Sequence, residues 1–276
     1  MQIIYNNDVI NSDVTTNSEN LNYPVTNIQD TRLSRFYRSE VNENVLIDLY
    51  KENMTQVYKS CILVNTNLSV RAAITIRANV ENSFINAPFE ATFIQSGDTW
   101  ISQFEEPESP DYKESIMFGD LMFDDFMFGE ETLSTYNYWQ IEIDDPANKS
   151  DYVQMGAIIL GGVLQLPAME QNQTISNVTT SLKSFGNSGQ LYGSSRYNYK
   201  EAKANFPFIT KDKKLEIETM FEFTDNYKPV LMLMYEDDLT ILKPLYCNLN
   251  FETLVFERNK NISSPFKCSF NFREVF

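Results

Sequence analysis

Three arginines, Arg32, Arg35 and Arg38, lie within seven residues of a strongly acidic chain, and Tyr37 lies beside the last of them. A guanidinium group is planar and always charged, so it can stack on a flat ring or hold a carboxylate through two parallel hydrogen bonds. These residues are therefore candidates for binding a sugar ring or a carboxylate of a neighbouring protein. The alternative is that Arg32 and Arg38 form ion pairs with acidic loops of their own domain.

Adjacent carboxylates are the other side chains that could take part in catalysis, and they occur as the pairs Asp124/Asp125, Asp144/Asp145 and Asp237/Asp238. Glycoside hydrolysis requires two carboxyl groups that converge on one bond. Neighbouring residues of a strand point to opposite faces of the sheet, and aspartate is common in turns because it bonds its own backbone. We therefore predict turns at these pairs instead of a catalytic site. The residues leave open whether Ca2+ binds near Asp144.

Histidine is absent, and the three cysteines, Cys61, Cys247 and Cys268, form no C-x-x-C pair. This composition excludes Ser-His-Asp and Cys-His catalysis and a histidine-ligated zinc ion, and it argues against a disulfide framework. The sequence also lacks a glycine-rich phosphate loop and a nucleophile elbow. We therefore predict that the chain is not an enzyme and binds no cofactor.

The charge and hydrophobic content of the chain limit its partners. It has 276 residues, 42% of them hydrophobic, and a formal net charge of -16, which predicts globular domains and argues against nucleic acids and anionic membranes as partners. The longest nearly apolar run, Met155 to Leu166, is too short to span a bilayer, and the first residues do not resemble a secretory signal. We therefore predict that the protein is made in a cytoplasm and is not inserted into a membrane.

The segment from Glu105 to Glu131 combines many carboxylates with a repeated Met-Phe pattern. Methionine and phenylalanine are enriched at the centres of protein interfaces, and methionine repacks easily. One hypothesis is a docking arm that contacts a neighbouring subunit; another is that these side chains pack on their own sandwich. A divalent-cation loop fits less well, because the carboxylates do not follow calcium-loop spacing. The residues of the candidate docking arm are Met117, Phe118, Met122, Phe123, Phe126, Met127 and Phe128.

The stretch from Tyr136 to Leu166 is predicted to hold two central strands. Polar and apolar residues alternate between Tyr136 and Ile143, which is the period of a half-buried strand. Turn-forming residues follow from Asp144 to Asn148, and the run from Tyr152 to Leu166 suits a strand that is covered on both faces. We interpret this stretch as the closing hairpin of a buried sheet.

Other short strands, separated by turn residues, predict a β-sandwich in residues 1–168. These strands are Gln2–Tyr5, Val45–Tyr50, Val57–Asn65, Val70–Asn79, Phe89–Gln95 and Thr99–Phe104, with a polar loop over residues 6–22. A domain boundary is predicted near Ala168, within a polar stretch from Pro167 to Thr180 that shows no strong periodicity.

Residues 169–276 predict a smaller β-rich domain with about one helix. A hairpin is expected within Leu182–Phe206 and a helix over Lys211–Asp225, since the apolar residues of the latter are compatible with one helical face. The further strands are Pro229–Tyr235, Leu245–Phe251, Thr253–Glu257 and Phe266–Val275.

Two segments of the first domain resemble the discoidin-like, galactose-binding-like β-sandwich. They are YPVTNIQDTRLSRFYRS, residues 23–39, and YWQIEIDDPANKSDYVQMGAIILGG, residues 138–162. The form of the segments here is similar to a group of bacteriophage virion proteins encoded among tail genes. That similarity extends to Gly189, Tyr192, Gly193, Arg196, Tyr197 and the terminal Arg273, Glu274 and Val275.

The resemblance implies a mainly β chain, in which a discoidin-like jelly-roll β-sandwich precedes a smaller β-rich domain with about one helix. It further implies a non-enzymatic structural component of a bacteriophage virion, in the tail, adaptor or fibre-attachment region. Such a protein would be assembled in the host cytoplasm and contact copies of itself and other virion proteins.

The alternative function is a carbohydrate-binding module that recognises a host surface glycan through residues 32–38 and neighbouring aromatic side chains. This fold hosts many functions, so the resemblance says less about a ligand than about the fold. The exposure of Tyr37 and Trp100 as a stacking platform would distinguish a glycan site from a buried core or an interface.

Overall fold

The computed structural model describes residues 2–52, 60–69, 71–94, 114–118, 136–161, 163–167, 174–180, 182–185, 191–194, 198–225, 227–233, 245–249, 254–258 and 266–275. Contacts between Cα atoms divide the chain into two compact units. The first is built on Gln2–Leu164, and the second on Gln165–Met232 and Leu245–Val275. The predicted division at Ala168 stays a prediction, because that residue lies outside the described part of the chain.

The first part of the chain forms short strands and two 3-10 helices, Asp8–Asn11 and Val25–Gln29. The strands are β1 (Gln2–Ile4), β2 (Asp13–Thr16), β3 (Tyr37–Arg38), β4 (Val45–Tyr50), β5 (Ser60–Thr66), β6 (Ala73–Asn79), β7 (Phe89–Ile94), β8 (Glu114–Phe118), β9 (Tyr138–Asp144), β10 (Gln154–Met155), β11 (Ala157–Gly161) and β12 (Val163–Gln165). Most lie where the alternation of apolar residues predicts them; the predicted strand at Thr99–Phe104 lies outside the described residues.

Two antiparallel sheets and one ribbon make up the sandwich. The larger sheet has the strand order β2-β4-β9-β6-β7, the smaller has the order β11-β5-β8, and β3 pairs with β10 in the ribbon. In β4 the buried residues Val45, Ile47 and Leu49 alternate with partly exposed ones. Because successive side chains of a strand point to opposite faces, this period of two turns one face of the sheet into the core.

The core lies between the larger and the smaller sheet. Trp139 and Ile141 of β9 and Ile158 and Leu160 of β11 belong to one continuous cluster of buried side chains. However, β9 pairs with β4 and β6, whereas β11 pairs with β5. The predicted closing hairpin is therefore wrong. The chain crosses from one sheet to the other after β9, because the apolar faces of both strands are buried when the two sheets oppose each other.

The strand β11 is buried on both faces, as its apolar run predicts, since all five of its residues are buried. Its edge is held by Asn7, which accepts the N–H of Leu160 at 3.1 Å and donates to the carbonyl of Ile158 at 2.9 Å. A Cβ atom on Gly161 would lie 2.3 Å from the carbonyl oxygen of Asn6. The close approach of these two backbones therefore requires glycine.

In its described residues, the second unit combines strands with one helix. Its strands are β13 (Thr174–Thr179), β14 (Leu182–Phe185), β15 (Leu191–Ser194), β16 (Asn198–Ile209), β17 (Val230–Leu233), β18 (Leu245–Leu249), β19 (Glu257–Arg258) and β20 (Phe266–Glu274). Five of them follow the order β17-β18-β20-β16-β13, β19 lies beside β20, and β14 and β15 form a separate hairpin. The rings of Phe206 and Phe270 meet edge to face at 5.3 Å in its interior.

The predicted helix is confirmed as α1 (Lys211–Thr224). The hydroxyl oxygen of Thr210 accepts the N–H of Lys213 at 3.2 Å, which caps the first turn. The helix ends at Asp225, whose backbone is left-handed with φ of 46°. Ile217 and Met220 are its buried apolar contacts.

The strands β2, β3, β8 and β13 were not predicted, and β2 and β13 share one cause. β2 lies in the predicted polar loop and β13 lies in the stretch without clear periodicity, and both pair through backbone groups, with β4 and β16 respectively. Their side chains are mostly polar and remain exposed or partly exposed, so no apolar pattern marks them. The mainly β fold class with one helix is nevertheless confirmed. In the described residues, no helix has both the length and the hydrophobicity needed to cross a membrane.

Candidate functional site

Three loops meet at one end of the sandwich. They follow β2, β5 and β9, and their described residues are 17–44, 67–69 with 71–72, and 145–153; β3 lies inside the first loop. The antiparallel registers bring them together, because Val45 pairs with Ile143 and Ala73 pairs with Asp144. Loops on a rigid sandwich can carry recognition residues, since the strands supply the stability.

Asp145 joins two of these loops. It is fully buried, at 0% exposure, and its carboxylate accepts the N–H of Ser69 at 2.7 Å and the hydroxyl of the same residue. Its own N–H donates to the carbonyl of Asn42 at 2.8 Å, and its carbonyl accepts the N–H of Asn148 at 3.0 Å. The predicted turn at Asp144/Asp145 is therefore confirmed, and Asp145 acts as a structural anchor.

Amide side chains extend this connection. Asn148 donates to the carbonyl of Asn67 at 3.1 Å, and Asn67 in turn donates to the carbonyl of Tyr152 at 2.9 Å. The amide oxygen of Asn67 also accepts the N–H of Gln154 at 2.7 Å. These bonds fix the backbone at residues 152–154 and thereby the positions from which the side chains of Tyr152 and Gln154 project.

The ribbon of β3 and β10 brings distant residues side by side. Arg38 pairs with Gln154 and Tyr37 pairs with Met155 in antiparallel register. On the other side of β3, the N–H of Arg38 donates to the carbonyl of Tyr23 at 3.1 Å. Side chains from three separate segments therefore lie next to one another.

We call Tyr23, Phe36, Arg38, Tyr152 and Gln154 the aromatic–arginine cluster. The guanidinium carbon of Arg38 lies 4.1 Å from the centroid of the Tyr152 ring, 4.5 Å from that of Tyr23 and 5.4 Å from that of Phe36. The rings of Tyr23 and Phe36 stack at 4.8 Å, and Nη2 of Arg38 donates to Oε1 of Gln154 at 2.9 Å. All five residues are partly exposed, so rings and hydrogen-bonding groups are presented together at the surface.

Arg38 keeps unused binding capacity. Within the described residues its guanidinium forms no ion pair, and its Nε is buried with no hydrogen-bond partner. A buried donor without a partner costs about 1–3 kcal/mol. The cluster thus presents a cation that no described carboxylate neutralises, and such a cation favours a ligand rich in oxygen atoms.

Arg32 and Arg35 lie on the same segment but bind Asp30 instead of joining the cluster. Nε and Nη2 of Arg32 donate to the two carboxylate oxygens of Asp30 at 2.9 and 2.7 Å, and Nη1 of Arg35 lies 3.4 Å from Oδ2. The alternative of an ion pair within the domain therefore applies to Arg32, whereas Arg38 has no such pair among the described residues. Both Arg32 and Arg35 stay more than half exposed, at 56% and 58% of their side-chain surface.

The Asp30 carboxylate is expected to stay ionised at low pH. The hydrogen bond from Arg32 lowers the pKa of Asp30 from its ordinary 3.8 to about 2. A lowered pKa means that the contribution of this group to stability is present above its ordinary pKa and is lost as pH falls toward about 2. We expect Arg32→Gln to raise the Asp30 pKa toward 3.8, and Arg35→Gln to raise it less, because Arg35 lies farther away. Carboxyl-carbon NMR titration measures both shifts; an unchanged pKa in Arg32→Gln would contradict this account.

Tyr37 is fully buried, at 0% exposure, which corrects our expectation of an exposed ligand contact. Its hydroxyl donates to the carbonyl of Ser18 and lies 3.2 Å from the hydroxyl of Thr16, and burial raises the pKa of Tyr37 to about 12. The reason is that adjacent residues of a strand point to opposite faces. Arg38 therefore faces the cluster while Tyr37 packs inside the sandwich.

Sequence reasoning identified Arg38 and included Phe36 in the candidate loop of residues 32–38, but it did not name Tyr23, Tyr152 or Gln154 as site residues. Tyr23 and Phe36 are aromatics embedded in a polar connection, and that contrast is the signal that could have found them. Gln154 lies 116 positions from Arg38, so that only strand pairing reveals its proximity, and the same holds for Tyr152.

The candidate docking arm falls mostly outside the described residues. The backbone of Met117 and Phe118 belongs to β8, which pairs with β5, but the side chains of these two residues are outside the described part of the chain. The described part also does not include Met122, Phe123, Phe126, Met127, Phe128 and Trp100. The docking hypothesis stays a prediction. In the described residues, no group of three or more Asp, Glu or Cys side chains is arranged to hold a metal ion.

Comparisons with known proteins return similar structures only. No protein-family model and no curated protein matches the chain. The CBM32 of AlyQ in complex with 4,5-unsaturated mannuronic acid is 14% identical with a TM-score of 0.32, over 58% of this chain and 97% of that chain. Chitosan-binding module 1 of the chitosanase/glucanase from Paenibacillus sp. IK-5 is 14% identical with a TM-score of 0.36, over 57% and 99%. The family 32 CBM from C. perfringens NanJ in complex with galactose is 10% identical with a TM-score of 0.34, over 58% and 98%.

Proposed function

We propose that the first unit is a carbohydrate-binding β-sandwich that recognises a glycan through the aromatic–arginine cluster. One observation carries this proposal. The guanidinium of Arg38 is held 4.1 Å from the centroid of the Tyr152 ring and forms no ion pair with the described residues. A charged, planar donor is thus kept at a partly open surface between aromatic rings.

The chemistry of the cluster matches that of a sugar. A pyranose has faces of C–H groups, which pack on aromatic rings, and a rim of hydroxyl groups, which both donate and accept hydrogen bonds. The ring of Tyr152 is partly exposed and offers the apolar surface, while the guanidinium of Arg38 supplies donors and the amide of Gln154 supplies both donors and an acceptor. A few fixed polar groups beside apolar surface are typical of small-molecule sites.

The loops also hold the cluster in place before a ligand arrives. Hydrogen bonds from Asn67 fix the backbone at Tyr152 and Gln154, and the ribbon pairs Gln154 with Arg38. Less conformational entropy is lost on binding when the site is already ordered. The sugars named with the similar structures are properties of those proteins; for this chain the support is the geometry of the cluster.

A structural role in a bacteriophage virion stays a separate prediction that depends on the resemblance of residues 23–39 and 138–162. It includes contacts with copies of the chain and with other virion proteins. Nothing in the comparisons indicates a tail protein.

The proposal is tested by screening the purified full chain on an array of neutral and carboxylate-bearing glycans and titrating the best glycan by calorimetry. We expect saturable binding with a dissociation constant between about 1 μM and 1 mM. Tyr152→Ala should weaken this binding, while Tyr152→Phe, which keeps the ring, is the matched control. Both variants keep the backbone carbonyl that Asn67 binds. The absence of binding at about 10 mM glycan, or equal binding by Tyr152→Ala, would overturn the proposal.

A further inference from the structure

The guanidinium of Arg38 lies at the centre of the aromatic–arginine cluster, and its neighbours there are uncharged. The ring centroids of Tyr23, Phe36 and Tyr152 all lie within 5.4 Å of its guanidinium carbon. Its Nη2 donates to the neutral amide of Gln154. Aromatic rings attract a cation through their electron-rich faces but leave its charge in place. The cluster therefore carries a positive charge at a partly exposed surface.

The other two arginines of this loop are already bound to a carboxylate. Arg32 and Arg35 lie 2.7 and 3.4 Å from Oδ2 of Asp30, whereas Arg38 forms no ion pair with the described residues. A carboxylate suits a guanidinium best, because two parallel N–H groups can donate to its two oxygens. Each terminal nitrogen of an arginine carries two hydrogens, so Nη2 of Arg38 keeps a second N–H beside the one that Gln154 accepts.

The three loops are nearly neutral, although the chain as a whole is strongly acidic. Residues 17–44, 67–72 and 145–153 hold five basic and six acidic residues, so they contribute -1 to the net charge of -16. The basic residues are Arg32, Arg35, Arg38, Arg71 and Lys149, and the acidic ones are Glu19, Asp30, Glu40, Glu43, Asp145 and Asp151. Exposed charges more than about 8 Å apart are largely screened at physiological salt. The repulsion of an anionic ligand is therefore weaker at these loops than the net charge of the chain suggests.

We propose that the cluster selects a glycan whose terminal sugar carries a carboxylate, such as a uronic or sialic acid, and that Arg38 binds this carboxylate. The inference rests on the proposed glycan site and adds the class of sugar that the site prefers. The sugar ring packs on Tyr152, while its carboxylate accepts hydrogen bonds from Nη1 and Nη2 of Arg38. A single carboxylate is favoured over a polyuronate, because most of the negative charge of the chain lies outside the three loops.

The test compares acidic glycans with uncharged glycans of nearly the same shape. The probes are lactose derivatives that end in galacturonic, glucuronic, mannuronic or N-acetylneuraminic acid, each paired with the form whose carboxylate is replaced by a primary amide. In calorimetric titration of the full chain, we expect at least one acid to bind at least about fivefold more tightly than its amide, which is the upper range for a partly exposed ion pair. The ratio should fall as NaCl is raised from about 50 to about 500 mM, because salt screens this attraction.

Two variants assign the preference to Arg38. In Arg38→Gln the positive charge of the cluster is lost, so the acid and its amide should bind equally or not detectably. Arg71→Gln is the matched control, because it removes one charge from the exposed loop between β5 and β6. It should keep the ratio within about twofold of the wild type. The wild-type comparison does not depend on the folding of either variant.

Different results separate the selectivity from the glycan site itself. If a neutral glycan of the array binds and every acid is less than about fivefold tighter than its amide, the selectivity is wrong and the glycan site stands. A preference that persists in Arg38→Gln, or that Arg71→Gln abolishes, also contradicts the role of Arg38. If neither the array nor the probes give binding, the proposed function is wrong and the selectivity fails with it.

Discussion

Replacing Arg38 by alanine is expected to weaken glycan binding at least about 30-fold while the chain stays folded. The guanidinium is the donor that we propose for the ligand, and it packs on Tyr23 and Tyr152 at 4.5 and 4.1 Å from their ring centroids. Removal of a central binding residue costs at least about 2 kcal/mol, which is about a 30-fold loss of affinity. Loss of the ring contacts should also lower the free energy of unfolding by about 1 kcal/mol. Calorimetric titration and urea unfolding measure the two effects.

Two variants separate the geometry of Arg38 from its charge. Arg71→Ala removes one positive charge from the exposed loop between β5 and β6 without touching the cluster, and should leave the affinity within about twofold of the wild type. Arg38→Lys keeps the charge but loses the planar group that stacks and donates in two directions, so its affinity should fall between those of Arg38→Ala and the wild type. If Arg71→Ala weakens binding as much as Arg38→Ala, the effect is one of net charge and the proposed site is wrong.

Asp145→Ala should lower the free energy of unfolding by about 3 kcal/mol. The carboxylate of Asp145 is fully buried and accepts both the N–H and the hydroxyl of Ser69. Alanine leaves these two donors without their acceptor and removes one of the connections between the loop after β5 and the loop after β9. The second of these loops positions Tyr152 and Gln154, so glycan binding should decrease as well. Urea unfolding followed by circular dichroism measures the stability.

Asp144→Ala is the matched control for this prediction. Asp144 is the preceding carboxylate, at the end of β9, and it is partly exposed. In the described residues its side chain has no hydrogen bond or ion pair. Its removal should change the free energy of unfolding by less than about 0.5 kcal/mol. An equal loss of stability in both variants would show that Asp145 is not a specific anchor.

Patterns within one segment were predictable because their cause is local. The alternation in β4 follows from the pleat of a strand, and the helix α1 follows from the spacing of its apolar residues. The polar strands β2 and β13 were missed because backbone pairing leaves no apolar pattern. The order of the strands was misjudged at β9 and β11, because a turn after a strand leads equally well to the same sheet or to the opposite one.

The candidate site, like the fold, was only partly predictable from the sequence. Sequence reasoning selected Arg32, Arg35, Tyr37 and Arg38 as one group, but the structure separates them: Arg32 and Arg35 bind Asp30, Tyr37 is buried, and Arg38 alone faces the rings. Successive residues of a strand point to opposite faces, which explains why Tyr37 is buried while Arg38 is partly exposed. The sequence did not allow this assignment, because β3 is a strand of only two residues and was located only in the structure.

The amino-acid sequence by itself determined the chemistry that is available to this protein. The lack of histidine excludes imidazole catalysis, the net charge of -16 opposes polyanionic partners, and the periodicity of the strands requires a mainly β fold. Only the tertiary structure decided that Arg38 lies between Tyr23 and Tyr152. The physical reason is that a binding site depends on contacts between residues far apart in the chain. Those contacts arise when backbone pairing and core burial, summed over both sheets, fix where each loop lies.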